Sequence, residues 1–338
     1  MTKVFFIGGP GNISTSTIQD VLNRDDQVGL FTLPESFNEG PVDCRVKTYM
    51  GDRNDTPALR SALEDYKPDI VFDFVCFDPS QAEALLPIIT GKVSQFVFVS
   101  TVDVYGYPLT RLPFRESDPM NPPNCDYAAN KRLCEEVFHR PGLKQLPLTI
   151  VRPVYSFGNH FVLTFFSRGQ GRYMITRLRN HMPILVSGDG TTLIHASSSY
   201  NTGRMIARVA GNLPSIGKDY TVGHKTFMTH DDYVKLFARL VGEEPVLVHI
   251  PTEVILGIDS EETRSCLLNI LTRFNIAFSM ERFQQDFPGF EWSMSLEEWG
   301  RRYIEYNDRH GNMPDKSEVI YDDKIIAAWQ GCIKNFNV

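Results

Sequence analysis

The chain has 338 residues, of which 42% are apolar and 22% charged, as is ordinary for a globular protein. A net charge of −7 without any block of like charges argues against a nucleic-acid surface. Apolar runs fall short of the about 18 residues that a membrane span needs, and the run from Lys3 to Ile7 is too short for a signal peptide. We therefore expect a cytoplasmic protein that does not bind membranes.

The cysteines show no Cys-x-x-Cys spacing and no histidine partner at the distance of a zinc finger. They are predicted to be reduced thiols, and no metal site is expected. Their positions are Cys44, Cys76, Cys125, Cys134, Cys266 and Cys332.

The first predicted element is a strand from Lys3 to Ile7, which ends in a glycine-rich turn. A helical pattern follows from about Ser16 to Asn23. Strand, glycine turn and helix form the context in which a loop binds a pyrophosphate. Gly8 would permit the tight turn and Gly11 a close approach of the backbone to the phosphates, while Ser14 replaces the usual third glycine.

The second strand, Val28 to Thr32, ends where dinucleotide folds carry a residue that selects the cofactor. An acidic residue there holds the ribose, and an arginine accepts a 2′-phosphate. Thr32 is neither, the nearest acid is Glu35, and no basic residue follows for several positions. This pattern favours NAD and leaves NADP open.

Strands and helices then alternate, which predicts right-handed βαβ units and a parallel sheet covered on both faces. Asp52 stands just past the third strand, where it either accepts from an adenine amino group or serves as a turn residue. The predicted elements are a strand at Arg45–Tyr49, a helix at Pro57–Tyr66, a strand at Ile70–Val75, a helix at Pro79–Ile89 and a strand at Gln95–Ser100.

Hydroxyl and acidic side chains follow the strand that ends at Ser100. Ligands of open α/β sheets bind outside the carboxyl ends of the strands. Thr101 could there donate a hydrogen bond to a substrate oxygen. Asp103 either acts as a second acid or base, or caps the turn that follows.

Tyr127 and Lys131 are four residues apart among good helix formers, so both project from one face of a helix. A nearby ammonium group favours the phenolate and lowers the tyrosine pKa from its usual value of roughly 10. The pair is therefore a candidate general acid and base for hydride transfer. A surface tyrosine beside a solvated lysine is the alternative interpretation.

Taken in order, these motifs resemble the extended short-chain dehydrogenase/reductase superfamily. The resemblance is closer to its NAD-dependent epimerase/dehydratase family, which acts largely on nucleotide sugars. Further matching segments span nearly the whole chain: Gly51-Asp52, Val151-Arg152-Pro153, Gly188-Asp189-Gly190-Thr191 and Ser295–Gly300.

The resemblance implies an α/β fold, with a Rossmann-type doubly wound parallel sheet and a smaller C-terminal α/β substrate domain. Residues 1–155 would bind the dinucleotide. Residues 156–338 would mainly bind substrate, with some segments returning to the sheet, and a homodimer is expected.

It also implies roles for individual residues. The catalytic residues would be Thr101, Tyr127 and Lys131, with Asp103 as a fourth candidate. The cofactor-binding residues would be Gly8, Gly11, Asn12, Ile13, Thr32, Asp52, Arg53, Val75, Cys76, Ser100, Tyr127, Lys131 and Pro153. The substrate-binding residues would be Asp103, Tyr155, Arg172 and Arg179.

The chain departs from the family where nucleotide-sugar enzymes carry a diphosphate-binding arginine. Ile194-His195 occupies that place, and Arg172, Arg177 or Arg179 could replace the missing guanidinium.

We expect an NAD(P)-dependent epimerase of a nucleotide-activated sugar that works by transient oxidation of a carbinol. A reductase or dehydrogenase of a keto-sugar or of a non-nucleotide small molecule, and a decarboxylase, are the alternatives. A non-catalytic RNA- or partner-binding protein is a further one. Val102-Asp103 after the threonine argues against dehydration.

Overall fold

The structure is a computed structural model that describes residues 1–34, 42–140, 146–164, 171–318 and 320–334. Glu35, the acid nearest to the end of the second strand, lies outside these ranges. Within them, no helix is both long and apolar enough to cross a membrane.

Strands occur along most of the chain and are labelled in chain order. They are β1 Lys3–Ile7, β2 Gln27–Thr32, β3 Val46–Met50, β4 Ile70–Asp73, β5 Gln95–Val99, β6 Leu148–Pro153, β7 Tyr155–Phe157, β8 Pro183–Ser187, β9 Leu193–Ile194, β10 Ala196–Ser198, β11 Asp219–Val222, β12 Met228–Thr229 and β13 Val246–Ile250.

Helices connect most of the strands. They are α1 Ser14–Leu22, α2 Thr56–Tyr66, α3 Pro79–Ile89, α4 Asp126–Phe138, α5 Gly171–Arg179, α6 Ser199–Val209, α7 His230–Val241, α8 Thr252–Leu256, α9 Glu261–Ser265, α10 Glu281–Asp286, α11 Leu296–Arg309 and α12 Tyr321–Lys334.

Seven strands form one parallel sheet in the order β11-β6-β5-β4-β1-β2-β3, which confirms the predicted Rossmann-type α/β fold. The inner strands are apolar and buried on both faces, as parallel sheets require. The strand order reverses between β1 and β4. Because ligands of such sheets bind at this point, the loops after β1 and β4 mark the candidate site.

The fourth strand ends at Asp73, before the predicted end at Val75. The side chain of Asp73 accepts a hydrogen bond from the backbone N–H of Val75 at 3.0 Å. A side-chain oxygen that bonds its own backbone two residues later turns the chain. The buried run Ile70–Val75 therefore leaves the sheet earlier than its hydrophobicity predicts.

The chain divides into two compact units. The first comprises Met1–Ser156, Ser197–Lys225 and Phe278–Ser293, and it contains the seven-stranded sheet. The second comprises Phe157–Ala196, Thr226–Ala277 and Met294–Val338. In the second unit, β8 pairs with β13 in parallel and β9 pairs with β12 in antiparallel orientation.

Helix α4 is fixed to the sheet by a buried ion pair. Arg152 of β6 donates two hydrogen bonds to the carboxylate of Glu135 on α4, at 2.9 and 2.7 Å. Bidentate pairs of this kind fix orientation as well as distance. Tyr127, Lys131 and Glu135 follow one another at helical spacing on one face of α4. The ion pair at Glu135 therefore also fixes the orientation of the face that carries Tyr127 and Lys131.

A buried carboxylate in α12 of the second unit makes stability depend on pH. The Oδ1 atom of Asp322 is buried and has no hydrogen-bond partner among the described residues. Burial raises the pKa of Asp322 to about 6, against the opposing charge of Arg177. Since the folded-state pKa exceeds the unfolded one, the ionised carboxylate destabilises the fold above about pH 6 and not below about pH 4.

We expect Asp322→Asn to raise the free energy of unfolding at pH 8 by about 1 kcal/mol, and to change it little near pH 4. Urea unfolding at the two pH values measures this. Asp323→Asn is the matched control, because Asp323 pairs with Arg177 at 2.7 Å. Loss of this ion pair in Asp323→Asn should destabilise the protein at pH 8. An equal effect of both substitutions would contradict the assignment of the pH-dependent destabilisation to Asp322.

Candidate active site

A cavity of about 230 Å³ opens at the carboxyl ends of the strands, at the point where the strand order reverses. It lies within the first unit, and its walls come from the loops after β1, β2, β3 and β4. The lining residues are Gly8, Gly9, Phe31, Thr32, Leu33, Gly51, Asp52, Arg53, Asn54, Val75, Phe77 and Gln81. Five of the predicted cofactor residues are among them: Gly8, Thr32, Asp52, Arg53 and Val75.

The glycine turn forms one wall of this cavity. Gly8 has a φ of +88°, and a Cβ atom there would lie 2.4 Å from Cγ1 of Val75. Gly9 has a φ of +121°, so it too needs a glycine. At Gly11, by contrast, a Cβ would lie 3.5 Å from Oγ of Ser14, which is ordinary contact. The fold itself therefore requires Gly8 and Gly9 but not Gly11.

We expect Gly8→Ala to destabilise the protein by about 2 kcal/mol and to lower NAD affinity at least tenfold, because the positive φ and the contact with Val75 both oppose a Cβ there. Gly11→Ala is the control. It should change the free energy of unfolding by less than about 0.5 kcal/mol and still weaken NAD if the loop approaches the phosphates. Urea unfolding and calorimetric titration with NAD measure both. Equal stability of the two variants would contradict the steric argument.

Asp52 and Arg53 line the cavity in different ways. The carboxylate of Asp52 accepts from the backbone N–H of Asn54 at 2.8 Å, so Asp52 is a turn residue and also lines the cavity. Arg53 is buried and donates to the fully buried Asp73 at 2.7 Å. Its Nε–H has no acceptor among the residues that the structure describes. An acceptor on a bound ligand would satisfy this buried donor.

Helix α4 presents Tyr127 and Lys131 one turn apart. The side chain of Tyr127 is 38% exposed, whereas that of Lys131 is only 1% exposed. The ammonium of Lys131 donates to the backbone carbonyl of Val99, the last residue of β5, at 2.8 Å. Burial lowers the pKa of Lys131, and the charge of Asp73 opposes that shift. Lys131 is thus a dry, fixed cation and not a solvated surface lysine.

Phe77, which was not among the predicted site residues, connects the cavity with the Tyr–Lys pair. Its ring lies 4.8 Å from Nζ of Lys131 and 6.3 Å from the ring of Tyr127, and it also lines the cavity. The Phe77 side chain is 46% exposed. Its position shortly after the buried strand β4 was its only signal in the sequence.

The hydroxyl of Thr101 caps the 3-10 turn that follows β5. It accepts from the backbone N–H of Asp103 at 3.2 Å, so Thr101, and not Asp103, is the capping residue. Since Val99 accepts from Lys131, the lysine and the threonine are held at the same strand end.

Asp103 receives hydrogen bonds from two phenols, that of the buried Tyr107 and that of the half-buried Tyr155. Its Oδ1 accepts from Tyr155 at 2.7 Å and from Tyr107 at 3.0 Å. Burial first, and then the charge of Asp103, raise the pKa of both phenols well above the usual value, so both remain protonated donors. The predicted substrate residues Asp103 and Tyr155 are therefore in direct contact, and Tyr107 joins them.

The remaining predicted cofactor residues are not among those that line the cavity. The amide of Asn12 donates to the carbonyl of Ser156 at 2.7 Å, and the carbonyl of Ile13 accepts from Thr17 in α1. Ser100 is buried, and its backbone N–H donates to Val151 at 2.8 Å. Pro153 ends β6, and Cys76 is fully buried behind the wall.

The predicted substrate arginines lie in α5 of the second unit. Arg179 is already held by Asp308 through two hydrogen bonds of 2.7 Å. Arg177 pairs with Asp323 and donates to the carbonyl of Pro183. Burial raises the pKa of Tyr303, and the contact between Arg172 and this phenol opposes that shift. The alternative diphosphate ligands Arg177 and Arg179 thus have carboxylate partners.

Across the described ranges, no group of three or more His, Cys, Asp or Glu side chains could hold a metal ion. His195 is fully buried, with its ring 6.0 Å from that of Phe227. His230 is buried too, which lowers its pKa to about 4, so this histidine is neutral at physiological pH.

A model of the family described as "NAD dependent epimerase/dehydratase family" matches residues 4–223. Among curated proteins, a UDP-glucose 4-epimerase of Lactobacillus helveticus is 28% identical over 152 residues. That match covers 40% of this chain and only 46% of the relative's own length.

Solved structures share the fold over nearly the whole chain. An epimerase of Methanothermobacter thermautotrophicus has a TM-score of 0.72 at 16% identity and covers 92% of this chain and 93% of its own. The UDP-glucose 4-epimerase of Thermus thermophilus in complex with NAD has a TM-score of 0.69 at 18% identity, covering 90% and 98%. The Thermotoga maritima UDP-glucose 4-epimerase with UDP-glucose has a TM-score of 0.69 at 16% identity, covering 91% and 99%.

Proposed function

From the premise that the chain belongs to the NAD dependent epimerase/dehydratase family, as its motifs predicted, we propose that it epimerises a nucleotide-activated sugar. Family membership confirms the predictions of an NAD-dependent enzyme and of NAD as its cofactor. The sugar, the position attacked and the roles of individual residues are our proposal.

The observation that carries the proposal is the hydrogen bond from Lys131 to Val99. It places a buried cation at the end of β5, directly before Ser100 and Thr101. Tyr127 lies one turn earlier on the same helix face, with its phenol partly exposed. The proposed base Tyr127 and the cation Lys131 thus lie on α4, and the hydroxyl donor Thr101 follows the end of β5, to which Lys131 is bonded.

The cavity residues fit a dinucleotide. Because Gly8 has no side chain, the turn packs closely against Val75, and the N-terminus of α1 follows the turn with its backbone N–H groups. The buried Nε–H of Arg53 offers a donor that an adenosine acceptor would satisfy. When bound, NAD supplies the two-electron acceptor for a hydride from the substrate carbon.

The chain's own residues move the proton. Tyr127 takes it from the carbinol hydroxyl during oxidation and returns it during reduction. The charge of Lys131, held away from water, favours the phenolate form of Tyr127. Thr101 donates a hydrogen bond to the reacting oxygen, and Asp103 accepts from a neighbouring sugar hydroxyl.

Among the predicted substrate residues in α5, we propose Arg172 as the one that binds an anionic group of the substrate. Arg179 would have to leave Asp308 to serve in that role. The relatives named for UDP-glucose support a nucleotide sugar as the substrate class. The homodimer and the cytoplasmic location remain predictions; light scattering of the purified protein measures the first.

The experiment is incubation of the purified protein and NAD with UDP-, GDP- and dTDP-sugars, with the sugars separated by chromatography afterwards. An epimer of one nucleotide sugar, formed without net consumption of NAD, is the expected product. Thr101→Val should reduce the rate about a hundredfold or more, and Thr110→Val, an exposed threonine, should not. Failure of every nucleotide sugar to react would reject the substrate class.

The carboxylate partners of Arg177 and Arg179 favour one second candidate, a reductase of a non-nucleotide carbonyl compound. Without a diphosphate-binding arginine, a nucleotide would add little affinity. Calorimetry with UDP separates the two functions, because only the epimerase requires UDP to bind. Consumption of NADH or NADPH with a carbonyl library, in the absence of UDP binding, would favour the reductase.

A further inference from the structure

Two thiols face each other beneath the candidate site. Cys76 and Cys134 are both fully buried, and their sulfur atoms lie 3.8 Å apart, with the Cys76 thiol donating toward Cys134. Both belong to one apolar core of the first unit. The redox chemistry of the family requires neither thiol, so the contact calls for a separate explanation.

The pair connects the segment that borders the cavity with the catalytic helix α4. The neighbours of Cys76 in the chain, Val75 and Phe77, both line the cavity. Cys134 lies one turn after Lys131 on α4, and the charge of Lys131 reaches it. A covalent change at this pair would therefore act on both the cavity wall and the position of Lys131.

We propose that Cys76 and Cys134 are a modification site, a dithiol that a hydroperoxide oxidises to a disulfide and that thereby weakens NAD binding. The Cys134 thiolate attacks the peroxide oxygen, which gives a sulfenic acid and releases an alcohol, or water from hydrogen peroxide. The Cys76 sulfur then displaces the sulfenic oxygen as water and forms the S–S bond. Two thiols lose two electrons and one peroxide gains them.

The surroundings prepare the two thiols for different roles. The hydrogen bond from Cys76 lowers the pKa of Cys134, and the charge of Lys131 adds to this effect. The same contact, together with burial, raises the pKa of Cys76. A low-pKa thiol beside a resolving thiol is the arrangement of redox-sensitive cysteines. Both thiols are fully buried, so the peroxide must enter past Val75 and Phe77, the chain neighbours of Cys76 that border the cavity.

Closing the disulfide requires movement. The sulfur atoms must approach from 3.8 Å to about 2.05 Å, so either the segment after β4 or helix α4 shifts. The first shift moves the walls formed by Val75 and Phe77, and the second moves Lys131. Both reduce the fit of NAD. By reciprocity, bound NAD must disfavour the disulfide at equilibrium by the same factor by which the disulfide weakens NAD binding.

The test treats the reduced full-length protein with stoichiometric hydrogen peroxide, with and without saturating NAD, and maps the disulfides by peptide mass spectrometry. We expect a link between Cys76 and Cys134 that dithiothreitol reverses and that NAD delays. Calorimetry on the oxidised protein should show NAD affinity lower by about fivefold or more, restored on reduction. This readout needs only NAD binding, so failure of the sugar assay does not affect it.

Cys134→Ser should bind NAD like the parent chain and keep its affinity after peroxide. If serine disturbs folding, Cys134→Ala provides the same comparison, with circular dichroism to check the fold. Cys266→Ser is the matched control, since Cys266 is a buried thiol of the second unit that donates to the carbonyl of Thr263 at 3.0 Å. The Cys266→Ser variant should lose NAD affinity after peroxide treatment as the parent chain does.

Three results would overturn the proposal. The first is oxidation of the exposed Cys44 and Cys332 without a link between Cys76 and Cys134. The second is formation of the link with NAD affinity unchanged. The third is an equal loss of affinity in Cys134→Ser after peroxide.

Discussion

Tyr127→Phe is expected to lower turnover by about a thousandfold or more while NAD affinity stays within about twofold of the parent. The substitution removes only the phenolic oxygen, which exchanges the proton in the proposed reaction. The ring, which lies 6.3 Å from that of Phe77, remains and keeps its packing. Tyr127 is 38% exposed at the start of α4, and circular dichroism of the variant checks that the fold is kept.

Tyr155→Phe is the control for this prediction. It also removes one phenol, but that phenol donates to Asp103 at 2.7 Å and remains protonated. Its loss should raise the KM for substrate more than it lowers kcat. Steady-state kinetics with the reactive nucleotide sugar, together with calorimetry for NAD, separates the two. Equal losses of kcat in both variants would show that Tyr127 is not the specific base.

The sheet and the helix with the Tyr–Lys pair were predictable because their signals are local. Apolar runs such as Gln95–Val99 are buried on both faces, which only a covered parallel sheet provides. Spacing alone places Tyr127 and Lys131 on one face of α4. The glycine turn could be predicted for a similar reason, although the steric requirement falls on Gly8 and Gly9 and not on Gly11.

The contacts that define the site's electrostatics could not be predicted, because they join residues that are far apart in sequence. Arg53 meets Asp73 across two strand ends, and Cys76 meets Cys134 across the core. Nothing in the composition around Asp103 indicated that a second phenol, Tyr107, shares its carboxylate. Such pairs depend on how strand ends are placed side by side, which a local pattern does not encode.

Because Lys131 is buried, its substitution is expected to have opposite effects on activity and on stability, and this is the second large effect. We expect Lys131→Met to lower turnover by about a hundredfold or more and to raise the free energy of unfolding by about 1 kcal/mol. Burial is the main cause of the lowered pKa of Lys131. The charged form is therefore destabilised by burial more than it is stabilised by the acidic groups nearby, and it opposes folding. The free-energy cost of burying the charged lysine is complete at pH values below its lowered folded-state pKa. The cost decreases as the pH rises from there toward the pKa of the unfolded state, because the lysine loses its proton.

Methionine fills the same apolar path between the rings of Phe77 and Phe98, which lie 4.8 and 4.9 Å from the ammonium. Asp73 keeps its bond from Arg53 in the variant, so no buried carboxylate is left alone. Lys92→Met, at an exposed lysine, is the control and should change neither property. Urea unfolding at pH 7 and pH 9.5 should show the difference in stability shrinking at the higher pH. A variant that is less stable at both pH values would mean that Lys131 is kept for the fold and not for its charge.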